Sequence, residues 1–319
     1  MVVSAIDEAQ ERTKGYLPRI EQAIATECIA KTDVPTALVP HDVRYQGKVR
    51  DTYVSEDYIV LVSTDRQSAF DRQLTEVPFK GAVLNQTSAW WFNLTKDLVP
   101  NHVIAAPHPN VTIGKKAKVF QVEFVMRGYL TGSTSTSIWK NYEAGVRQYC
   151  GHALPDGLKK SQKIPMGNLL TPTTKGEHDE LTDAAGVVSS GLMSQEEWDA
   201  CADMSHKLFA RGQEVAAERG LILVDTKYEF GVDDDGKIMI VDEVHTPDSS
   251  RYWLAGSYEE RLAQGLDPEN IDKEFLRKWY AKNCDPYKDE TLPSAPSDLV
   301  AELSRRYIML YELITGETF

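Results

Sequence analysis

The stretch "DTKYEFGVDDDGKIMIVDEVHTPDSSRYW", from Asp225 to Trp253, contains two strand-like runs and many carboxylates. Alternate residues of a strand share a face. Asp225, Lys227 and Glu229 therefore form one ionic face, and the residues between them form an aliphatic and aromatic face. This alternation predicts a hairpin with one apolar face and one charged face.

The turn of this hairpin is predicted at Asp235-Gly236, a dipeptide that favours the type I′ turn. With that turn, Glu229 lies directly opposite Asp242, and directly opposed like charges destabilise a sheet unless something compensates them. Mg²⁺ is one such compensating group, because it binds one or two carboxylates together with water and nucleotide phosphates. Two alternatives stay open: the acidic face is simply hydrated, or Lys227 neutralises it without metal. A longer loop would also shift the register by one residue.

The composition is that of an ordinary globular protein, with 319 residues of which 42% are apolar, enough for two or three subdomains. The formal net charge is -13 and the chain has no long run of Lys or Arg. Nucleic acid and anionic membranes are therefore not expected as partners. An anionic ligand would require a local cluster of positive charge.

Cysteine spacing and the length of the apolar runs predict a cytoplasmic location. The four cysteines form no CxxC pair and are expected to be reduced thiols. The N-terminal "MVVSAIDEAQERTK" lacks the apolar core of a signal peptide, and the run "YIVLV" is far shorter than the ~20 residues that cross a bilayer.

Periodicity in the first half of the chain predicts both helices and strands. A helix is predicted from residue 4 to about residue 30, opened by Ser4 and Asp7 and interrupted near "GYLP". Apolar and β-branched runs from Tyr45 to Phe79 predict antiparallel strands, and "KVFQVEFVMRGYL" is again typical of a strand. Between them, "KGAVLNQTSAWWFNLTKDL" predicts a helix whose buried side contains Val83, Ala89, Trp90 and Leu94.

The second half is predicted to contain a long polar loop and three helices. Residues 154–190 are rich in Pro, Gly, Thr and Ser with little periodicity, which favours a functional loop. Ser194 and Glu197 form a capping box that opens a helix to about Arg219, with Gly220 as its stop. Two more helices are predicted at 259–280 and 297–314, the latter with Ser297 as N-cap.

Several blocks of this sequence are similar to those of one enzyme family. In order along the chain, from Tyr45 to Trp253, they are "YQGKVRDTY", "STDRQSAFD", "KGAVLNQTSAWWF", "MRGYLTGS", "TPTTKGEHDE", "DTKYEFG" and "VDEVHTPDSSRYW". They resemble the SAICAR synthetases, the phosphoribosylaminoimidazole-succinocarboxamide synthases of purine biosynthesis. The chain is most similar to the longer form of that family, which has the "TPTTKGEHDE" insertion and helical ends.

This resemblance implies an α+β, two-lobed ATP-binding fold with antiparallel sheets. The implied segments are an N-terminal helical extension (1–40), a β-rich lobe with the nucleotide phosphate loop (41–120), a central α+β domain (121–255) and C-terminal helices packed outside (256–319). The family joins the carboxylate of carboxyaminoimidazole ribotide (CAIR) to the amine of L-aspartate, while ATP becomes ADP and phosphate. The expected partners are these small molecules, and a monomer is expected.

The resemblance also implies roles for individual residues. The implied ligands of Mg²⁺ are Glu229 and Asp242, the pair that the hairpin register also indicates. The implied ATP-binding residues are Lys48, Arg50, Lys80 and Glu123, the last at the adenine hinge. The residues implied to bind the other substrates are Arg127, Ser133, Arg251, Thr173, Thr174 and Lys175. The residues expected nearest the chemistry are Asp225, Lys227 and Asp248.

These roles divide between the two substrates other than ATP. Arg127, Ser133 and Arg251 are expected at the ribotide phosphate, since arginine binds phosphate bidentately. The Thr173–Lys175 segment is expected to hold the carboxylates of L-aspartate in a loop that orders on binding. His178 and Asp179 have no assigned step, and Phe79 stands where the family usually has Gly or Asp.

The expected mechanism is attack of the CAIR carboxylate on the γ-phosphorus, followed by displacement of phosphate from an acyl phosphate by the aspartate amine. Such chemistry depends on positioning and charge neutralisation. Asp248 or solvent is expected to take the proton of the amine. The competing hypotheses are a phosphotransferase acting on a hydroxyl and a nucleotide-binding regulator without catalysis.

Overall fold

The computed structural model describes residues 5–41, 43–70, 72–176, 179–271 and 273–319. The predicted cap Ser4 and the motif residue His178 lie outside these ranges. The helices of the described residues are α1 (Ala5–Lys14), α2 (Leu17–Thr26), α3 (Lys80–Leu94), α4 (Ile138–Glu143), α5 (Ala184–Ser189), α6 (Gln195–Glu218), α7 (Ala255–Ala263), α8 (Glu274–Asn283) and α9 (Ser297–Thr315).

The strands alternate with these helices in an α+β order, as predicted. They are β1 (Val43–Gln46), β2 (Arg50–Val54), β3 (Tyr58–Ser63), β4 (Arg66–Ala69), β5 (Arg72–Glu76), β6 (Val103–His108), β7 (Val111–Lys115), β8 (Lys118–Val119), β9 (Val122–Arg127), β10 (Gln148–Tyr149), β11 (His152–Ala153), β12 (Leu169–Leu170), β13 (Thr173–Thr174), β14 (Glu180–Leu181), β15 (Leu221–Val232), β16 (Ile238–Val241) and β17 (Ser250–Leu254). No helix of the described residues is both long and apolar enough to cross a membrane.

The first sheet has the antiparallel order β1-β2-β3-β7-β6. Its buried face includes Tyr53, Val60 and Val62. Between β1 and β2 the chain turns at Gly47, whose N–H donates to the Arg50 carbonyl at 2.8 Å. This short turn places Lys48 at its tip and Arg50 at the start of β2.

The second sheet is built around the twelve-residue strand β15, which pairs with β9, β16, β17 and β8. Its apolar face packs against α6, where Phe124 stacks on Trp198 with ring centroids 5.2 Å apart. Tyr228 and Phe230 are fully buried on this face. The predicted division of β15 into an apolar and an ionic face is therefore confirmed.

The hairpin register differs by one residue from the prediction. Glu229 pairs with Val241, not with Asp242. The reason is the loop: the Asp233 N–H donates to the Lys237 carbonyl at 3.1 Å, so three residues rather than two, 234–236, lie within this closing pair, and Gly236 among them has φ +78°. Asp242 follows the end of β16 with φ +65°, which breaks the alternation of the strand. The proximity of the two carboxylates thus depends on this break and not on direct pairing.

Helix α9 lies at the centre of a helical layer and contacts α1, α2 and α3. Leu303, Tyr307 and Leu310 are fully buried. The interruption predicted near "GYLP" is confirmed by the gap between α1 and α2. For α3 the predicted buried side is partly wrong, because Trp91 is fully buried whereas Trp90 is only half-buried. Helix α3 is enclosed on several sides, so its buried residues are not confined to the single face that hydrophobic periodicity predicts.

Two other element predictions require correction. The helix predicted at 259–280 is two helices, α7 and α8, separated by a segment that contains Gly265 (φ +69°) and Pro268. Within the predicted loop 154–190, the residues that the structure describes form three short strands and α5. Strands of two residues are too short for hydrophobic periodicity to detect. By contrast, the capping box of Ser194 and Glu197 is present at the start of α6.

Candidate active site

A cavity of about 610 Å³ lies between the two sheets and the C-terminal helices. Seven of the predicted site residues line it: Lys48, Glu123, Arg127, Asp225, Lys227, Asp248 and Arg251. Ser133 instead lines an adjoining cavity of about 640 Å³, together with Arg251. The rest of the predicted set lines neither cavity.

The ionic face of β15 supplies the floor of this cavity. The Lys227 Nζ lies 2.9 Å from Glu123 Oε1 and also contacts Glu229. Burial alone would lower the pKa of Lys227, but Glu229 and Glu123 hold it well above its usual value. Lys227 is therefore a permanent cation that bridges β9 and β15.

Two arginines converge on Asp225 at one end of the cavity. Arg251 Nη1 contacts Asp225 Oδ2, and Arg127 Nη1 lies 3.8 Å from the same oxygen. This convergence follows from the registers, because Asp225 pairs with Arg127 on one side and with Arg251 on the other. Arg127 is further held by Thr171, whose Oγ1 accepts from Nε at 2.8 Å. Two guanidinium groups for one carboxylate leave a net positive charge for an anionic ligand.

The turn after β9 approaches these arginines closely. Gly132 has φ +105°, and a Cβ there would lie 2.4 Å from Ser137 Cβ and 3.6 Å from Arg251 Nη2. A side chain at this position would collide with the turn. The absence of a side chain at Gly132 therefore lets the backbone of this turn lie beside Arg251.

The predicted metal ligands lie at the opposite end of the ionic face. Glu229 contacts Lys175 and Lys227. Asp242 Oδ1 and Glu243 Oε2 accept from Arg50 at 2.9 and 2.7 Å. Arg50 thus lies between two carboxylates, and the described residues contain no group of three or more His, Cys, Asp or Glu side chains with metal-site geometry.

The two carboxylates differ in their response to this environment. Burial would raise the pKa of Glu229, but the ammonium groups of Lys227 and Lys175 lower it to about 2. Burial raises the pKa of Asp242 to about 6, opposed by Arg50 and reinforced by Glu229 and Glu243. Repulsion from Glu229 and Glu243 thus acts mainly on Asp242, and an added cation beside Asp242 would relieve it.

Asp248 is buried in a cluster of cations. Its Oδ2 lies 2.7 Å from Lys80 Nζ, and its Oδ1 lies 3.4 Å from Lys273 Nζ and accepts from the Tyr307 hydroxyl at 2.8 Å. Burial would raise its pKa, but Lys273 and Lys80 hold the pKa of Asp248 well below the usual range. Lys80 itself is fully buried behind the cavity wall. Asp248 is therefore a buried anion that holds the ammonium groups of Lys80 and Lys273 in place.

The Thr173–Lys175 segment lies on the side of the cleft that contains Glu123. Thr173 pairs with Glu123 across β13 and β9, and its hydroxyl donates to Glu123 Oε2 at 3.0 Å. Lys175 contacts Glu229. None of Thr173, Thr174 and Lys175 lines the described cavities, whereas Asp179 of the same motif lines the first.

Phe79, at the start of α3, has φ +62° and ψ 0°, a left-handed conformation that glycine adopts without strain. Its ring packs edge-on against Phe319 at 6.0 Å and below the Arg19 guanidinium at 4.8 Å. These contacts hold a bulky residue in an unfavourable backbone region, directly before Lys80.

Sequence reasoning missed four site residues: Glu243, Lys273, Arg277 and Tyr307. Lys273 and Arg277 line the first cavity, so the C-terminal helices are part of the cleft and the prediction that they pack outside is wrong. The spacing of four residues between Lys273 and Arg277 was a detectable signal, since it places both on one helical face. Tyr307 was hidden within the apolar stripe of α9.

Comparisons with known proteins identify the family of this chain. The family model for SAICAR synthetase matches residues 43–293. A phosphoribosylaminoimidazole-succinocarboxamide synthase from Legionella pneumophila (strain Paris) is 57% identical over 92% of this chain and 92% of its own. The chloroplastic enzyme of that name from Arabidopsis thaliana is 56% identical, covering 98% of this chain and 76% of its own.

A solved structure shows the same architecture. The SAICAR synthase from Saccharomyces cerevisiae complexed with SAICAR superimposes with a TM-score of 0.78 at 32% identity, covering 91% of this chain and 99% of that one. The family match spans both sheets and the cleft between them. The chain therefore belongs to the SAICAR synthetase family.

Proposed function

We propose that this chain is an ATP-dependent ligase that joins the carboxylate of CAIR to the amine of L-aspartate and releases SAICAR, ADP and phosphate. The observation that carries the proposal is the convergence of Arg127 and Arg251 on Asp225, in a cavity that also contains Lys227 and Lys48. This is a local cationic site in a chain of net charge -13. All three substrates are anionic, and such a cluster holds them close together.

In the first step, an oxygen of the CAIR carboxylate attacks the γ-phosphorus and the bond to the β-bridging oxygen of ATP breaks. The products of this step are an acyl phosphate and ADP. Phosphoryl transfer of this kind needs little covalent participation by protein, so fixed cations are the main requirement. We assign that charge to Lys48 at the glycine turn and Lys227 on β15, because both line the first cavity.

In the second step, the aspartate amine attacks the acyl carbon and phosphate leaves from a tetrahedral intermediate. The amine must lose a proton, and an effective base has a pKa near the working pH. The pKa of Asp248 is held well below the usual range by Lys273 and Lys80. We therefore assign Asp248 to holding those lysines and propose that solvent or the departing phosphate accepts the proton.

The donor set around Glu229 and Asp242 fits Mg²⁺. Both offer hard carboxylate oxygens, and repulsion between them contributes to the raised pKa of Asp242. Bound there with the nucleotide, Mg²⁺ would neutralise charge on the β- and γ-phosphates. In the structure, the ammonium groups of Lys175 and Lys227 pair with the Glu229 carboxylate. The Arg50 guanidinium pairs with the Asp242 carboxylate.

The position of Thr173 and Lys175 supports a revised role for their segment. Both contact carboxylates on the nucleotide side, Glu123 and Glu229. We propose that Lys175 acts there on the phosphates or their metal, while Asp179, which lines the cavity, lies closer to the aspartate substrate.

The cysteines of the described chain are unpaired. This is consistent with a reducing compartment such as the cytoplasm, which we propose as its location.

The test is release of phosphate from MgATP with CAIR, with and without L-aspartate, while SAICAR is followed by its ultraviolet absorbance. We expect phosphate and SAICAR to appear together and only with all three substrates. Loss of ATP that is indifferent to aspartate would instead indicate a phosphotransferase. ATP binding without turnover would indicate a regulator.

A further inference from the structure

The segment that follows α2 is tied to two consecutive charged residues at the start of β4. The Ile29 N–H donates to Asp65 Oδ2 at 2.8 Å, and the Asp65 N–H donates back to the Ile29 carbonyl at 2.8 Å. Arg66 Nη1 donates to the Ala30 carbonyl at 2.7 Å. Asp65 and Arg66 are both buried, so these backbone groups replace part of the water that the charges would otherwise bind.

Arg66 also reaches the glycine turn between β1 and β2. Its Nη2 donates to the Gly47 carbonyl at 2.9 Å and to Asp51 Oδ1 at 2.6 Å. Asp51 is fully buried, and its other oxygen accepts from the N–H and the hydroxyl of Thr32 at 3.1 and 2.7 Å. One guanidinium group therefore joins the segment after α2, strand β2 and the turn that carries Lys48.

Asp65 makes the corresponding connection to α3. Its Oδ1 accepts from the Gly81 N–H at 2.9 Å, while its Oδ2 accepts from Ile29. The backbone at Gly81 lies so close to β3 that a Cβ there would be 2.3 Å from the Ser63 carbonyl oxygen. The Asp65 carboxylate therefore fixes the first turn of α3, which contains Lys80, relative to the segment after α2.

Packing alone does not explain why these connections are ionic. Apolar side chains often hold buried segments together as well as or better than a buried ion pair such as Arg66 with Asp51. What the charged groups add is direction, because the planar guanidinium group fixes the positions of several acceptors at once. The network is therefore suited to setting the geometry of the two turns that it joins.

We propose that residues 29–32 are a positioning segment for nucleotide binding, which holds Lys48 and Lys80 at a fixed separation through Asp65 and Arg66. The assignment of ATP to these two lysines rests on the proposed function. The coupling of the segment to both turns rests on the hydrogen bonds. None of residues 29–32, all within the described chain, lines either cavity, so the segment acts through other residues.

The binding test uses Thr32→Val, which keeps the shape of the side chain but removes the hydroxyl that contacts Asp51 and Tyr53. Calorimetry with ADP and Mg²⁺ should show an affinity about 3-fold to 10-fold weaker, since part of a hydrogen bond to a charged group is lost to the turn. Thr32→Ser keeps the hydroxyl and should bind within about twofold of the unaltered chain. Thr26→Val is the matched control, because it removes a hydroxyl that donates to the Gln22 carbonyl at 3.0 Å within α2, and its affinity should be unchanged.

Arg66→Lys is the stronger variant, because an ammonium group lacks the planar fork that reaches three acceptors. Its affinity for MgADP should fall at least about 10-fold, and its KM for ATP should rise by a similar factor. The kcat at saturating ATP and the KM for CAIR and L-aspartate should stay within about threefold. An increase in the KM for all three substrates alike would mean a general loss of structure and would overturn the positioning role.

Hydrogen exchange tests the coupling without nucleotide. In Thr32→Val and Arg66→Lys, the amide hydrogens of Gly47 and Gly81 should exchange at least about 10-fold faster than in Thr26→Val and the unaltered chain. Unchanged exchange at both glycines would contradict the coupling, whether or not the ligase reaction occurs. Faster exchange with unchanged affinity for MgADP in all variants would overturn the role in nucleotide binding alone, whereas an unaltered chain that binds no MgADP would overturn that role and the proposed function together.

Discussion

At the scale of single residues, the cleft is a set of charges that compensate one another. Lys227 contacts Glu123 and Glu229, and Asp248 lies between Lys80 and Lys273. Removing one member of a buried pair leaves the other unpaired and is strongly destabilising. Variants in this cleft must therefore be assessed for folding as well as for activity.

Asp242→Asn tests the metal assignment. Asparagine keeps the shape of the side chain but removes an anionic oxygen, so we expect Mn²⁺ binding in the presence of ADP to weaken at least about 10-fold. Paramagnetic resonance of free Mn²⁺ measures this, and turnover should show a matching increase in the Mg²⁺ required.

Asp234→Asn, at the exposed tip of the same hairpin, is the matched control and should leave the metal affinity unchanged. Thermal unfolding of both variants detects loss of the Arg50 contact to Asp242. Turnover with an unchanged Mg²⁺ requirement in Asp242→Asn would mean that Asp242 does not bind the metal.

Residues on one strand were predictable from the sequence, whereas residues brought together by distant elements were not. Asp225, Lys227 and Glu229 share a face because alternation is a local property. The partners of Asp248 come from α3, from the residue just before α8 and from α9, and that association depends on packing between helices far apart in sequence. The ligand-binding and catalytic roles assigned to all of the predicted site residues, Lys48, Lys80 and Ser133 among them, stay predictions.

At the scale of secondary-structure elements, the predictions from sequence failed at turns, where the backbone conformation of a few residues sets the strand register and the ends of helices. The dipeptide Asp235-Gly236 correctly located the hairpin, but a three-residue loop with Gly236 at φ +78° fits the same residues and shifts the register. Similarly, the segment between α7 and α8 divides a predicted helix. The domain limits near residues 40, 120 and 255 stay predictions.

Helix α9 contributes to the cleft through one hydroxyl, and Tyr307→Phe measures that contribution. The substitution removes the 2.8 Å hydrogen bond to Asp248 while keeping the buried ring. A hydrogen bond to a charged group is worth about 1.5–3 kcal/mol, so kcat/KM is expected to fall about 10-fold or more if Asp248 must be fixed.

Tyr311→Phe, one turn further along α9, removes a hydroxyl that donates to Glu317 at 2.8 Å, away from the cleft. Its kcat/KM is expected to match that of the unaltered chain. If both variants lose activity equally, the effect belongs to the packing of α9 and not to Asp248.

At the scale of the whole molecule, the sheets and the helical layer must both be intact for the cleft to exist. The β-rich part supplies Lys48, the central sheet supplies Asp225 and Lys227, and α8 supplies Arg277. The α+β class was predictable because long elements with strong periodicity form locally consistent patterns. The junction of the two cavities was not predictable from the sequence, because no local sequence pattern encodes the space between elements that are distant in the chain.

Stability of the whole molecule is expected to fall below pH 6.5 through His102, which is fully buried against Phe92. Burial, with the charge of Arg50, lowers the pKa of His102 to about 4. The unfolded chain, with a histidine pKa of about 6.5, therefore binds more protons between these values, and stability rises with pH across this window.

His102→Leu should remove the contribution of His102 to this dependence, while buried His245, whose pKa burial lowers to about 3, keeps its own. The free energy of unfolding of His102→Leu minus that of the unaltered chain should become about 1 kcal/mol more positive when the pH is lowered from 7 to 5.5. Urea denaturation of both chains at the two pH values measures this difference. His108→Leu, at an exposed position, should show no such relative change. An identical pH dependence for His102→Leu and the unaltered chain would mean that the buried imidazole is not responsible.

The most direct test of the chemistry is the fate of oxygen from the CAIR carboxylate. CAIR labelled with ¹⁸O in both carboxylate oxygens is incubated with MgATP, L-aspartate and the enzyme, and the released phosphate is analysed by mass spectrometry. Attack of the carboxylate on the γ-phosphorus predicts one ¹⁸O in each phosphate and one in the amide of SAICAR. Phosphate without label, formed at the rate of SAICAR, would contradict activation of the carboxylate by phosphorylation.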